Sequence, residues 1–163
     1  MSTSHKVRRL EQVVEERARW KAEGKTVALA NGVFDLLHVG HVRYLEGAKE
    51  LADYLVVAVN SDASTRAYNG PSRPHIPENE RAELVAALAC TDRVLLFDEP
   101  NVRNIIRALK SDLQVKGTDY TPDTVPEADE VRAYGGRVAV AGDPKDHSTT
   151  ELARRLQAER EAK

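Results

Sequence analysis

Thr26-Val-Ala-Leu-Ala30 runs without a break into Asn31-Gly-Val-Phe-Asp-Leu-Leu-His38-Val-Gly-His41, and the character of the chain changes at that join. The first five residues are a short apolar run between turn-forming neighbours, which fits a buried strand. Beyond the join, Val42, Leu45, Ala48 and Ala52 return at helical spacing. A strand feeding a helix through a glycine-containing turn is the first half of a βαβ unit. The same alternation continues outward. Tyr54–Val59 is apolar on both faces and rich in β-branched residues, as a strand covered from both sides requires. Residues 60–77, polar and rich in Ser, Asn, Gly and Pro, read as a long loop of the kind that usually carries function. A helix presenting Leu84, Val85 and Leu88 then leads to a strand at Arg93–Phe97. Val102, Ile105, Ile106 and Leu109 mark a helix, and Leu113–Val115 a strand ending in Lys116-Gly117. Glu127–Tyr134 reads as a helix, Gly135-Gly136 turns, and Arg137–Ala141 is a fifth strand. A last helix over about 148–160 opens on Ser148 or Thr149, with Glu151 placed for a capping box.

Before the first strand, residues 7–22 carry Val7, Leu10, Val13, Val14 and Arg17 at helical intervals, and Gly24 stops the run. Strands alternating with helices predict a parallel sheet wound right-handedly into a three-layer sandwich. The expected fold class is therefore α/β, a Rossmann-like doubly wound sheet of five parallel strands. The expected organisation is an N-terminal helical extension over 1–25 and a single functional domain over 26–163.

The chain has 163 residues, long enough for a core without disulfide or metal staples. Lys and Arg number 24 against 26 Asp and Glu, a net charge of −2, so no basic field or stripe suggests a nucleic-acid partner. A single cysteine, Cys90, excludes an internal disulfide framework and an all-cysteine zinc site. No apolar run reaches the roughly 18–20 residues of a membrane span, so no membrane partner is expected. Met1–Lys6 has no hydrophobic signal core, and a cytoplasmic location is expected.

In doubly wound sheets, ligands bind beyond the carboxyl ends of the strands, where strand order reverses. The first strand ends there in Gly32, and His38, Gly40 and His41 stand at the start of the next helix. A helix N-terminus offers unsatisfied N–H groups and a positive dipole end to an anion. Imidazoles three residues apart on its first turn face one side, and Gly40 keeps bulk out of the way. A metal pair lacks a third ligand at recognisable spacing. Capping or surface histidines are the plainer alternative, but a pair beside glycines directly after a strand points to phosphate binding.

Gly32-Val-Phe-Asp-Leu-Leu-His-Val-Gly-His41 resembles the HxGH signature of the cytidylyltransferase-like nucleotidyltransferases, and Ser148-Thr-Thr150 resembles their STT motif. Within that family, Val59–Ser64, Asn69–Pro74, Val115–Tyr120 and Glu130–Gly136 resemble the adenylyltransferases that make ADP-heptose from heptose 1-phosphate. That domain is often fused behind a sugar kinase. A chain opening at Met1 directly before the N-terminal helix is similar to the stand-alone form.

The resemblance implies transfer of a nucleoside monophosphate from a triphosphate to a sugar phosphate, with release of pyrophosphate. ATP with heptose 1-phosphate leads, and Mg2+ accompanies the triphosphate. It further implies that His38 and His41 are catalytic. Gly32, Val33, Phe34, Asp35, Gly40, Lys116, Ser148, Thr149 and Thr150 would bind nucleotide or phosphate. Asp62, Arg66, Asn69, Arg73, Arg81 and Asp119 are the candidates for the substrate side or for charge neutralisation, and no protein metal ligand is implied. Plainer roles stand beside several of these: helix capping for the STT residues, a turn lysine for Lys116, a surface ion pair for Arg81.

The sequence departs from the family where a lysine usually precedes the Gly-Pro of the long loop. Asn69 stands there, flanked by Arg66 and Arg73. Asp143 stands where the glycerol-phosphate branch carries an arginine, with Lys145 and His147 nearby. A CTP-dependent glycerol- or polyol-phosphate cytidylyltransferase is the second reading. A nucleotide-binding regulatory module without turnover is a third, of another class, and the resemblance also allows a homodimer.

Overall fold

The computed structural model describes residues 3–144 and 149–161. Five strands form one fully parallel sheet: β1 (Val27–Gly32), β2 (Tyr54–Asn60), β3 (Arg93–Phe97), β4 (Leu113–Lys116) and β5 (Arg137–Val140), in the order β3-β2-β1-β4-β5. The helices are α1 (Leu10–Ala22), α2 (Val39–Glu50), α3 (Asp62–Asn69), α4 (Glu78–Ala87), α5 (Arg103–Leu109), α6 (Ala128–Ala133) and α7 (Thr149–Glu161). The order runs outward from β1 in one direction, then returns to its other side at β4, so the switch point lies between β1 and β4.

The two-residue period of the strands divides the core in two. Ala28, Ala30, Leu55, Val57, Leu113 and Val115 face Leu45 and Ala48 of α2 and Ala82, Val85 and Ala86 of α4. Val27, Leu29, Val56, Ala58 and Leu95 face the other way, onto Val13 and Trp20 of α1, Ile105 and Ile106 of α5 and Val131 of α6. This is the three-layer sandwich that the alternation predicts.

Three local expectations are corrected. The N-terminal helix begins at Leu10 instead of residue 7, because Val7 lies in a parallel bridge to Val94 and the Arg8 amide donates to the Val94 carbonyl at 2.8 Å. Gln12 Oε1 then accepts the Arg9 N–H at the helix start. Residues 60–77 are not all loop, since Asp62–Asn69 form α3. Ser61 caps it by accepting the Ser64 N–H at 3.1 Å, and its inward face is Ser64 and Thr65. A helix that buries small hydroxyls instead of aliphatic groups carries no apolar periodicity to read. On α4, Leu84 is exposed at 42%, and Arg81, Ala82, Val85 and Ala86 form the buried face.

Helix α1 shares the core of the sheet. Trp20 stacks on Tyr54 at 4.1 Å between ring centroids, and Arg17 pairs with Asp112 at 3.0 Å. Asp112 also accepts the Val27 amide at the start of β1. No described helix is long and apolar enough to cross a membrane.

Candidate active site

β1 and β4 part at their carboxyl ends, and a cavity of about 470 Å³ opens over the gap. Its floor is the turn after β1. Phe34 adopts φ +52°, a left-handed conformation that a bulky residue rarely takes. A Cβ on Gly32 would lie 3.1 Å from the Phe34 ring, so glycine there lets the ring fold back over the strand end.

The turn delivers the chain to the N-terminus of α2, where the two histidines meet. The His38 and His41 rings stack with centroids 3.9 Å apart and planes 26° from parallel. The His38 N–H donates to His41 Nδ1 at 3.4 Å. An Nδ1 that accepts leaves the proton of the neutral His41 ring on Nε2. Burial, and then the neighbouring His38, hold the His41 pKa down to about 4. His41 is therefore neutral near pH 7.

Gly32, Val33, Phe34, His38, Gly40, His41, Lys116, Asp119 and Thr149 all line this one cavity. Thr149 opens α7 and donates to the Leu36 carbonyl at 3.4 Å, which ties the start of α7 to the turn after β1. Two helix N-termini thus converge on one space. Thr150 is exposed outside the lining, and Ser148, Lys145 and His147 lie outside the described residues.

Lys116 ends β4 on the cavity wall. Its ammonium donates to Asn31 Oδ1 at 2.8 Å and lies 3.4 Å from Glu127 Oε2. Gln114 donates to the same Asn31 oxygen at 3.0 Å. Burial pulls the Lys116 pKa down while Glu127 opposes it. Lys116 is 8% and Glu127 6% exposed, and so buried a pair stands only with both members present.

The remaining candidates from the sequence are placed outside the cavity lining. Asp35 is buried behind the turn, accepting the His75 amide at 2.7 Å and the Ile76 amide at 3.0 Å and pairing with Arg73 at 3.1 Å. Asp35 and Arg73 therefore pin the 73–76 segment. Arg81 is fully buried. It donates to the carbonyls of Val33, Asn60 and Ile76 and pairs with Asp62 at 2.8 Å. This is a brace between the β1 turn, the end of β2 and α4, not the surface ion pair considered from sequence. Arg66 and Asn69 are exposed on α3.

Ten described lining residues were not among the sequence candidates, and Arg43, Tyr44, Tyr120 and Asp143 are those with long polar or charged side chains. Tyr44 donates to the Val115 carbonyl at 2.7 Å, and its backbone lies 3.2 Å from where a Cβ on Gly142 would stand. Arg43 pairs with Asp143 at 2.5 Å across the cavity mouth. Helical spacing was the available signal: Tyr44 lies three residues after His41, and Arg43 three after Gly40.

The cytidylyltransferase-like family model matches residues 29–155. The bifunctional protein HldE of Syntrophotalea carbinolica is 50% identical over 147 residues, which is 90% of this chain and 29% of the relative. That of Magnetococcus marinus is 43% identical over 157 residues, 96% of this chain and 32% of the relative. The chain thus spans about a third of the length of these curated relatives. The crystal structure of the lipopolysaccharide core biosynthesis protein from Thermoplasma volcanium superposes with a TM-score of 0.62 at 31% identity, covering 75% of this chain and 100% of that one. Pantoate-beta-alanine ligase from Francisella tularensis superposes at 0.64 with 12% identity, over 88% of this chain and 68% of that one, a likeness of fold alone. With His38 and His41 at the start of α2 and Thr149 at the start of α7 lining one cavity, the chain belongs to the cytidylyltransferase-like family of nucleotidyltransferases.

Proposed function

We propose that the protein joins the adenylyl group of ATP to heptose 1-phosphate, forming ADP-heptose and pyrophosphate. The observation that carries the reading is the stacked His38–His41 pair at the N-terminus of α2, facing Thr149 at the N-terminus of α7. The substrate pair rests on the resemblance of the Asn69–Pro74, Val115–Tyr120 and Glu130–Gly136 segments to ADP-heptose-forming adenylyltransferases. The identity to HldE and the likeness to a lipopolysaccharide core biosynthesis protein support it.

In this reaction an anionic oxygen of the sugar phosphate forms a bond to the α-phosphorus of ATP. The bond from that phosphorus to the α–β bridging oxygen breaks, and pyrophosphate carries away the electron pair. The nucleophile is already charged, so no base has to remove a proton. Catalysis is then positioning and stabilisation of charge on the α-phosphate and leaving group. His41, neutral in the empty site and protonated on Nε2, donates to a phosphate oxygen. The α2 and α7 N-termini add their amides and dipoles. Among the described residues no three His, Cys, Asp or Glu side chains converge to hold a metal. Magnesium would accompany the triphosphate as the Mg–ATP substrate, and as a hard cation it can take its ligands from phosphate oxygens and water.

The test is pyrophosphate release across ATP, CTP, GTP and UTP against heptose 1-phosphate, glycerol 3-phosphate and other sugar phosphates, with magnesium. Turnover is expected with ATP and heptose 1-phosphate. Turnover confined to CTP with a polyol phosphate would replace the substrate assignment. Nucleotide binding with no turnover on any pair would contradict the enzymatic reading.

A further inference from the structure

Around the cavity, most of the cations are already committed to the fold. Lys116 is buried between Asn31 and Glu127. Arg73 is held by Asp35, and Arg81 spends its guanidinium on three carbonyls and Asp62. Arg43 differs. It lines the same cavity as His38, His41 and Thr149, and among the described residues its one recorded partner is Asp143, reached through a single guanidinium nitrogen.

That ion pair is half exposed on both sides, at 50% and 51%, so it contributes little to stability. The position of Asp143 is nevertheless well defined. Its backbone carbonyl accepts the Thr118 hydroxyl at 2.6 Å. Gly142 beside it adopts φ +99° and packs against the Tyr44 backbone, where any Cβ would crowd it at 3.2 Å. Asp143 thus stands at the cavity mouth as the one anionic partner of a planar cation, and the other described residues leave the rest of the Arg43 fork unengaged. Guanidinium binds phosphate in two parallel hydrogen bonds where the geometry permits, so a polyphosphate is the stronger partner.

We propose that Arg43 is a triphosphate-binding residue held in reserve by Asp143. The Arg43–Asp143 ion pair opens when ATP enters, and the guanidinium exchanges the carboxylate for the β- and γ-phosphates. This rests on the nucleotidyltransferase reading above. Asp143 has two effects in the exchange: it keeps Arg43 extended over the cavity mouth, and it sets an energetic threshold that monophosphates, lacking the second and third phosphates, do not repay.

The test is calorimetric binding of inorganic pyrophosphate, Mg–ATP and AMP to the full chain, to Arg43→Gln, to Asp143→Asn and to the double variant. Both positions are half exposed, and unchanged melting temperatures check that the variants fold. Arg43→Gln is expected to weaken pyrophosphate and ATP binding by about tenfold and to leave AMP within about twofold, as loss of a charge-assisted phosphate contact predicts. Asp143→Asn is expected to tighten pyrophosphate binding by about threefold in the parent chain and to have little effect in the Arg43→Gln background, the signature of coupled residues. Pyrophosphate binding by Arg43→Gln equal to that of the parent would overturn the proposal. So would an equal effect of Asp143→Asn in both backgrounds, because the carboxylate would then act only through its field. A parent chain that binds neither pyrophosphate nor ATP would remove the nucleotidyltransferase reading, and this proposal with it.

Discussion

His41 shows how one side chain's environment prepares it for its proposed task. A pKa held down to about 4 means the unfolded chain, with its ordinary value of 6.5, binds this proton more readily than the folded one. The stability that His41 contributes is therefore fully present above pH 6.5 and lost as pH falls toward 4. A phosphate beside the ring reverses the preference and raises the pKa. Pyrophosphate binding at about pH 6 should then take up a proton at His41, seen as a buffer-dependent heat in calorimetry and missing in His41→Gln. His41→Ala should lower kcat by about 10²- to 10³-fold, the usual loss for a donor aimed at developing charge. Arg81 illustrates the opposite use of charge. Arg81→Lys keeps the charge but cannot reach three carbonyls and Asp62 together, and should cost about 2–4 kcal/mol in urea denaturation. The sequence shows both residues, but only the histidines announce their surroundings. Their spacing, the flanking glycines and the preceding strand lie within a few positions, whereas Arg81 takes its meaning from Val33 and Asn60, 48 and 21 residues away in the chain.

At the scale of elements, the cavity depends on how closely Ala141 and Gly142, just after β5, approach α2. Gly47 of α2 faces Ala141, where an added Cβ would stand 3.1 Å from the Ala141 Cβ, and Gly142 lies against Tyr44. Gly142→Ala combines a positive φ with a backbone clash and should destabilise the protein by about 1–3 kcal/mol, with weaker nucleotide binding at temperatures where the variant is still folded. The strands were readily legible because the central ones, β1 and β2, are buried along most of their length and so run apolar. The edge strands β3 and β5 still carry short apolar runs. Arg93–Phe97 matches its predicted span, and β1 and β4 run one or two residues further than their apolar runs, into the polar residues Asn31, Gly32 and Lys116 that form the site. Helix α3 was hidden for the converse reason. Its cap at Ser61 and its buried Ser64 and Thr65 are polar, and such a composition reads as loop until the packing is known. Asp35, expected near the ligand, anchors the segment after α3 through two amides and Arg73, a role set by tertiary contacts 38 to 41 residues away.

The whole molecule is a switch-point sheet whose two helical layers are both needed. Helix α1 contributes Val13 and Trp20 to the layer of α5 and α6, and Arg93 bonds Glu16 through two nitrogens at 2.6 and 3.0 Å. Trp20→Ala should therefore cost about 3–5 kcal/mol, as for a large core truncation, and lower the melting temperature without changing nucleotide affinity at 25 °C. The fold class was legible from alternation alone, but the strand order was not, because periodicity carries no information about which strands are neighbours. The reverse reaction tests the central claim most directly. Incubated with ADP-heptose, pyrophosphate and magnesium, the protein should produce ATP and heptose 1-phosphate, and His41→Ala should lose this activity while keeping its fold. ATP formation absent from ADP-heptose, with CTP formed from CDP-glycerol under the same conditions, would contradict the assignment.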